Sequence, residues 1–280
     1  MKMSCAIFLM RPPCPTDIAP EQSQGPRPLF GHDVTILILA ASVAVFAGFV
    51  KGAVGFAMPM IMISGLASFL PAEQALAALI LPTLATNLIQ SLRDGLVAAL
   101  CVIRDFRWLI GTNCLVVFAS SQLVPYIPQP VLLASLGVPI VAFAVSQLMG
   151  YRLSFDPKNR TRTEVIAGAV GGFYGGLSGI WGPPVIALLT SLNVEKRENI
   201  RVQGVVYSMA TVFLFVAHWR SGIVNAQTVP FSLALLLPSL IGLWLGFKLN
   251  NRLDARLFRR WTLIVLAVSG LNLVRRALTL

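Results

Sequence analysis

Gly48-Phe-Val-Lys51-Gly52-Ala-Val-Gly55-Phe-Ala-Met-Pro59 and Gly172-Phe-Tyr-Gly-Gly176-Leu-Ser178-Gly179-Ile-Trp-Gly-Pro183 are the stretches on which the fold turns. They lie 124 residues apart and share five identities: Gly48/Gly172, Phe49/Phe173, Gly52/Gly176, Gly55/Gly179 and Pro59/Pro183. Each interrupts an apolar run too long for one crossing. Val34–Ala72 has 39 residues with Lys51 as its one charge, and Val165–Val194 has 30 with none. As one helix the second run would reach about 45 Å, against a hydrocarbon core of about 30 Å. Glycine and proline at matching places therefore predict two broken or re-entrant segments.

The rest of the chain agrees. Apolar residues make up 56% of the 280 and charged residues 12%, with a mean hydropathy of +0.77. Soluble domains carry about 25% charge, so soluble, disordered, collagen-like and disulfide-scaffold classes are excluded. Continuous apolar runs argue against a transmembrane barrel, whose strands alternate. Apolar segments are predicted at 34–56, 57–71, 73–92, 108–125 and 130–150, then at 165–180, 182–194, 202–219, 227–247 and 257–274. The expected fold is all-α and polytopic, with about eight transmembrane helices plus the broken segments, arranged as two inverted repeats.

Four units are expected: a proline-rich disordered tail at 1–33, repeat 1 at 34–150, a basic cytoplasmic linker at 151–163 and repeat 2 at 164–280. A second match, Arg93-Asp-Gly95-Leu-Val97 with Arg220-Ser-Gly222-Ile-Val224, supports the repeat. Net charge is +11. If each broken run crosses an even number of times, fifteen Lys and Arg in 93–107, 152–162, 196–201 and 248–260 fall on one side. The positive-inside rule makes that side cytoplasmic. The basic excess is thus explained by a bilayer, and no nucleic-acid partner is expected.

Chemistry is expected at the breaks. Proline fits the first turn of a half-helix, whose N-terminus is partly positive and suits an anion. Candidate substrate-binding residues are Lys51, Gly52, Gly55 and Pro59 in the first motif and Gly176, Ser178, Gly179 and Pro183 in the second. Asn87 and Gln203, on the spans that follow, join them. Lys51 is an intramembrane ionisable residue, a functional candidate by type. G-x-x-x-G spacing also serves close helix packing, and Ser178 could bond back to its own helix. Gly137, in an ordinary span, is expected to tolerate substitution better than Gly55 or Gly179.

The eleven acids lie in the tail or at span ends. The cysteines form no C-x-x-C, and no nucleotide-binding loop is present. No metal, cofactor or enzymatic activity is expected. The substrate expected is a small anion. A lipid-modifying enzyme and a non-transporting scaffold are the rival readings, and a homo-oligomer is compatible with the sequence.

The two glycine motifs, the Pro71-Ala-Glu-Gln-Ala-Leu-Ala77 turn after the first and the charged 195–201 turn after the second resemble the TauE/SafE family of membrane permeases over about 34–280. The resemblance implies a multi-pass permease of the inner cell membrane exporting sulfite, organosulfonates or related organic anions.

Overall fold

A computed structural model describes residues 33–151, 159–249 and 255–280. The expected tail at 1–33, except Asp33, and most of the linker lie outside the described residues. Eleven α-helices and no strand occur among those described. The first half holds α1 (Val34–Val54), α2 (Met58–Leu66), α3 (Ala72–Ser91), α4 (Leu96–Asp105), α5 (Arg107–Ser121) and α6 (Gln129–Leu148). The second holds α7 (Arg160–Ser178), α8 (Gly182–Ser191), α9 (Lys196–Arg220), α10 (Thr228–Leu249) and α11 (Ala255–Thr279). Among the described residues seven helices are long and apolar enough to cross a membrane: α1, α3, α5 with the turn after it, α6, α9, α10 and α11. The protein is an all-α polytopic membrane protein. α7, more polar because Arg160, Arg162 and Glu164 open it, is the eighth long helix and packs along α5.

Both long apolar runs are broken where glycine and proline predict. The break is regular: Val54 and Ser178 end helices, and Met58 and Gly182 begin them, as do Ala72 and Lys196. Each pair is 124 residues apart. Gly65 near the end of α2 lies against Val43, so α2 folds back along α1 as a re-entrant hairpin.

Packing relates the halves by exchange. α1 lies on α10 and α7 on α5, while α3 meets α9 and α6 meets α11. The contacts give the directions. Gly48 abuts Ser239 and Leu243, and Gly52 abuts Leu243 and Gly246, so α1 and α10 run parallel. Gly168, Gly172 and Gly176 step along Leu109, Asn113 and Val117, so α7 and α5 also run parallel. Gln90 bonds Ile200 while Asn87 bonds Thr211, so α3 and its counterpart α9 are antiparallel. α6 and its counterpart α11 cross antiparallel at Gly137 and Gly270. Counterparts that oppose each other make the halves inverted.

Close packing explains part of the glycine pattern. A Cβ on Gly52 would lie 2.3 Å from the Leu243 carbonyl oxygen, and one on Gly246 would lie 2.2 Å from the Phe49 oxygen. Here Gly48-x-x-x-Gly52 meets Gly242-x-x-x-Gly246, so the backbones can touch. Gly137 differs from expectation. Its Cβ would sit 2.8 Å from the Gly270 oxygen, so it is as constrained as the motif glycines. Pro82 inside α3 frees the Ala78 carbonyl, because proline has no N–H to give it. The Ser232 hydroxyl on α10 donates to that oxygen at 2.8 Å.

Two boundaries differ from the sequence reading. α7 begins at Arg160, inside the predicted linker, because the Asn159 side chain caps the Arg162 N–H at 3.1 Å and Arg160 pairs with Glu164 at 2.7 Å. α4 lies within what reads as a basic loop. Its ten residues are too few to cross, and it buries Ala99 and Val102 while exposing Leu96, Val97 and Leu100. Arg197 bonds Asp94 at 2.7 Å, Arg160 donates to the Asp105 carbonyl at 3.0 Å, and Arg93 stacks on Phe247. These contacts gather the basic connections on one face.

Candidate functional site: a chamber at the two helix breaks

Left-handed backbone makes each break. Gly55 has φ +92° and its N–H closes α1 on the Lys51 carbonyl at 2.7 Å. Gly179 has φ +72° and closes α7 on Gly175 at 2.8 Å. Ala57 also takes a positive φ, +76°, which costs a residue with a Cβ about 1–2 kcal/mol. The half-helices then begin with proline. An α-helix leaves its first N–H groups without intrahelical partners. Since Pro59, Pro183 and Pro184 have none, the ones left are Met58 and Met60 in α2 and Gly182 in α8.

Between the breaks lies a chamber of about 20 Å³. Lys51, Gly55, Pro59 and Asn87 line it on one side and Trp181, Gly182 and Tyr207 on the other. It has room for about one water-sized guest, so anything larger needs the walls to part. Lys51 is 2% exposed. Its ammonium donates to Thr86 Oγ1 at 3.0 Å and to Asn87 Oδ1. Glu164 is the other buried charged side chain among the described residues, and Arg160 neutralises it. Lys51 has no carboxylate partner among them. Trp181 Nε1 and the Tyr207 hydroxyl are buried and unbonded, and their rings stack with centroids 5.9 Å apart. The Lys51 amine, the unbonded Tyr207 hydroxyl and the half-helix starts at Met60 and Gly182 thus border a small space with no carboxylate among its lining residues.

The chamber breaks the symmetry of the repeat. Lys51 corresponds to Gly175, and Ala57 to Trp181. A Cβ on Gly175 would lie 2.1 Å from Trp181 Nε1. The indole of one half therefore takes the room that the lysine stem takes in the other. Asn87 and Thr211, also counterparts, bond each other at 3.4 Å, which places the pseudo-twofold axis beside the chamber.

The other sequence candidates lie elsewhere. Gly52 and Gly176 pack helices; a Cβ on Gly176 would be 2.0 Å from Ser120 Oγ. Gly179 makes the turn and rests on Leu79. Ser178 bonds back to the Tyr174 carbonyl and accepts the Ile180 N–H at 3.2 Å. Ser178 and Pro183 face a separate groove of about 370 Å³ beside α6, screened from the chamber by Met60 and Ile180. Gln203 bonds Asn199 away from the chamber. Thr86, Trp181 and Tyr207 are not among the candidates that the sequence offers, yet they meet at the chamber. The paired exchange of Lys51/Ala57 for Gly175/Trp181 was the available signal.

Inverted halves and two facing helix breaks with a small chamber between them are the arrangement of broken-helix membrane carriers. The chain belongs to the TauE/SafE sulfite exporter family, whose model matches residues 40–273. No curated protein and no solved structure matches it. Membership makes the protein a multi-pass membrane permease of the sulfite exporter type.

Proposed function

We propose that the substrate is a small oxyanion, sulfite first, with organosulfonates and related organic anions as the wider class. It crosses by alternating access around the Lys51 chamber. The observation that carries this is a buried lysine amine with only neutral oxygens around it and the unbonded Tyr207 hydroxyl opposite; the anion that enters pairs with its protonated form. An uncompensated lysine deep in a membrane costs about 2.5–3.5 kcal/mol on insertion scales. A visiting anion offsets that cost and pairs the idle donors. Melting of the detergent-purified protein over an anion panel tests this. Sulfite and methanesulfonate should raise the melting temperature and choline and sodium should not, since ligand at a hundred times Kd adds about 2.7 kcal/mol. Equal response to every salt contradicts the reading.

Tyr207→Phe keeps the ring that stacks on Trp181 and removes one unbonded hydroxyl beside Gly182. It should weaken sulfite binding about tenfold, the scale of a hydrogen bond to a charged group, at a nearly unchanged melting temperature. Binding equal to wild type would take the Tyr207 hydroxyl out of the site.

The membrane proposed is the inner cell membrane, with the basic face in the cytoplasm and export as the net direction. Reporters fused at Arg162, Lys196 and Asn251 should read cytoplasmic, and those at Gln129 and Gln227 external. An external signal at Lys196 contradicts this orientation.

A further inference from the structure

A second cavity lies at the basic face, where α3 ends and α9 begins. Gln90, Arg93, Asp94, Arg197, Ile200 and Arg201 line an open recess of about 450 Å³ there. Arg197 bonds Asp94 at 2.7 Å, while Arg201 stands 3.7 Å from the same carboxylate with its Nε unbonded. The Arg197 hydrogen bond, with the charges of Arg197, Arg201 and Arg93, holds the Asp94 carboxyl below the usual carboxylate range. It is therefore ionised at neutral pH, and three guanidinium groups against one carboxylate leave the recess positive. Guanidinium forks suit planar or pyramidal oxyanions better than ammonium does.

Ile200 lies between this recess and the Gly55 wall of the chamber. Ile200 lines the recess, and its Cγ1 lies 3.4 Å from where a Cβ on Gly55 would stand. Gly55 in turn lines the chamber. Along α3, Asn87 faces the chamber and Gln90, one turn on, faces the recess. Gln90 also donates to the Ile200 carbonyl at 2.7 Å, fixing the turn that holds the partition.

We propose that this recess is a second anion site, where a sulfite-like oxyanion is gathered at the basic face before Ile200 gives way and admits it to Lys51. The passage onward rests on the carrier reading of the chamber; the recess site does not.

Equilibrium dialysis of radiolabelled sulfite under nitrogen, on the full chain in detergent, separates the two. Lys51→Gln should retain one sulfite site, weakened by added salt. Adding Arg197→Gln and Arg201→Gln should lower its affinity at least tenfold, as loss of charge-assisted pairs implies. Asp94→Asn should tighten it, an effect of opposite sign that a folding defect does not mimic. In proteoliposomes the arginine pair should raise KM for sulfite more than it lowers the maximal rate. Sulfite binding by Lys51→Gln that is absent, or indifferent to Arg197 and Arg201, overturns the recess site whatever transport does. Arginine-dependent binding in a protein that moves no sulfite keeps the recess site and contradicts the carrier reading.

Discussion

Lys51→Gln should lower sulfite uptake at concentrations below KM by about ten- to a hundredfold, the worth of about 1.5–3 kcal/mol for a hydrogen bond to a charged group. Expression and melting temperature should hold or improve, because the substitution removes a buried charge that no carboxylate compensates. Glutamine keeps an N–H donor on a side chain one bond shorter, so comparison with the charge-retaining arginine variant assigns the loss to charge. Lys51→Arg should keep part of the activity, limited by the small chamber. Initial rates in proteoliposomes, normalised to inserted protein, give the answer. Uptake by Lys51→Gln equal to wild type would remove the ammonium from the site and leave the backbone and side-chain N–H and O–H groups as its ligands.

Gly52→Ala should destabilise the fold by about 1–3 kcal/mol, the range for overpacking, and Gly52→Leu should abolish recovery of folded protein. The reason is a Cβ 2.3 Å from a backbone oxygen on α10 and 2.9 Å from the Gly246 Cα, where neither side can yield. Gly111 is the control. It is helical and exposed, and a Cβ there meets nothing within 4 Å. Gly111→Ala should hold or raise the melting temperature, because alanine is favoured over glycine in a helix by about 1 kcal/mol. Equal tolerance at both positions, read from thermal melts in detergent, would show that the α1–α10 contact does not depend on close backbone approach.

Much of the architecture was legible because glycine, proline and charge are strong punctuation. The two breaks, the repeat offset and the long spans follow from those marks alone. α4 was hidden because Arg93 and Asp94 before it and Arg104 and Asp105 at its end leave nine uncharged residues between them, whose one-sided burial cannot be told from a loop in a short window. Gly137 was misjudged because a helix crossing is set by the partner helix, and nothing near Gly137 in sequence announces Gly270.

The chamber was half legible. Lys51 declared itself as a charge in an apolar run, and Asn87 as an amide on the next span. Their direct bond spans 36 residues and is a product of folding. Gly52 and Gly55 look alike in the motif, yet one packs against α10 and the other lines the chamber. In the sequence nothing sets Trp181 and Tyr207 apart from the other aromatic residues of the apolar spans. Only the folded structure brings the buried, unbonded Tyr207 hydroxyl to the chamber wall beside Gly182.

The central claim is that a sulfite-like anion is carried through the Lys51 chamber by alternating access, and counterflow tests it most directly. Proteoliposomes holding the purified protein are preloaded with unlabelled sulfite and diluted into a trace of labelled sulfite without any imposed ion gradient. The account predicts a transient accumulation of label above equilibrium with wild type, strongly reduced with Lys51→Gln. Label that only equilibrates, at the rate of protein-free vesicles, would contradict it.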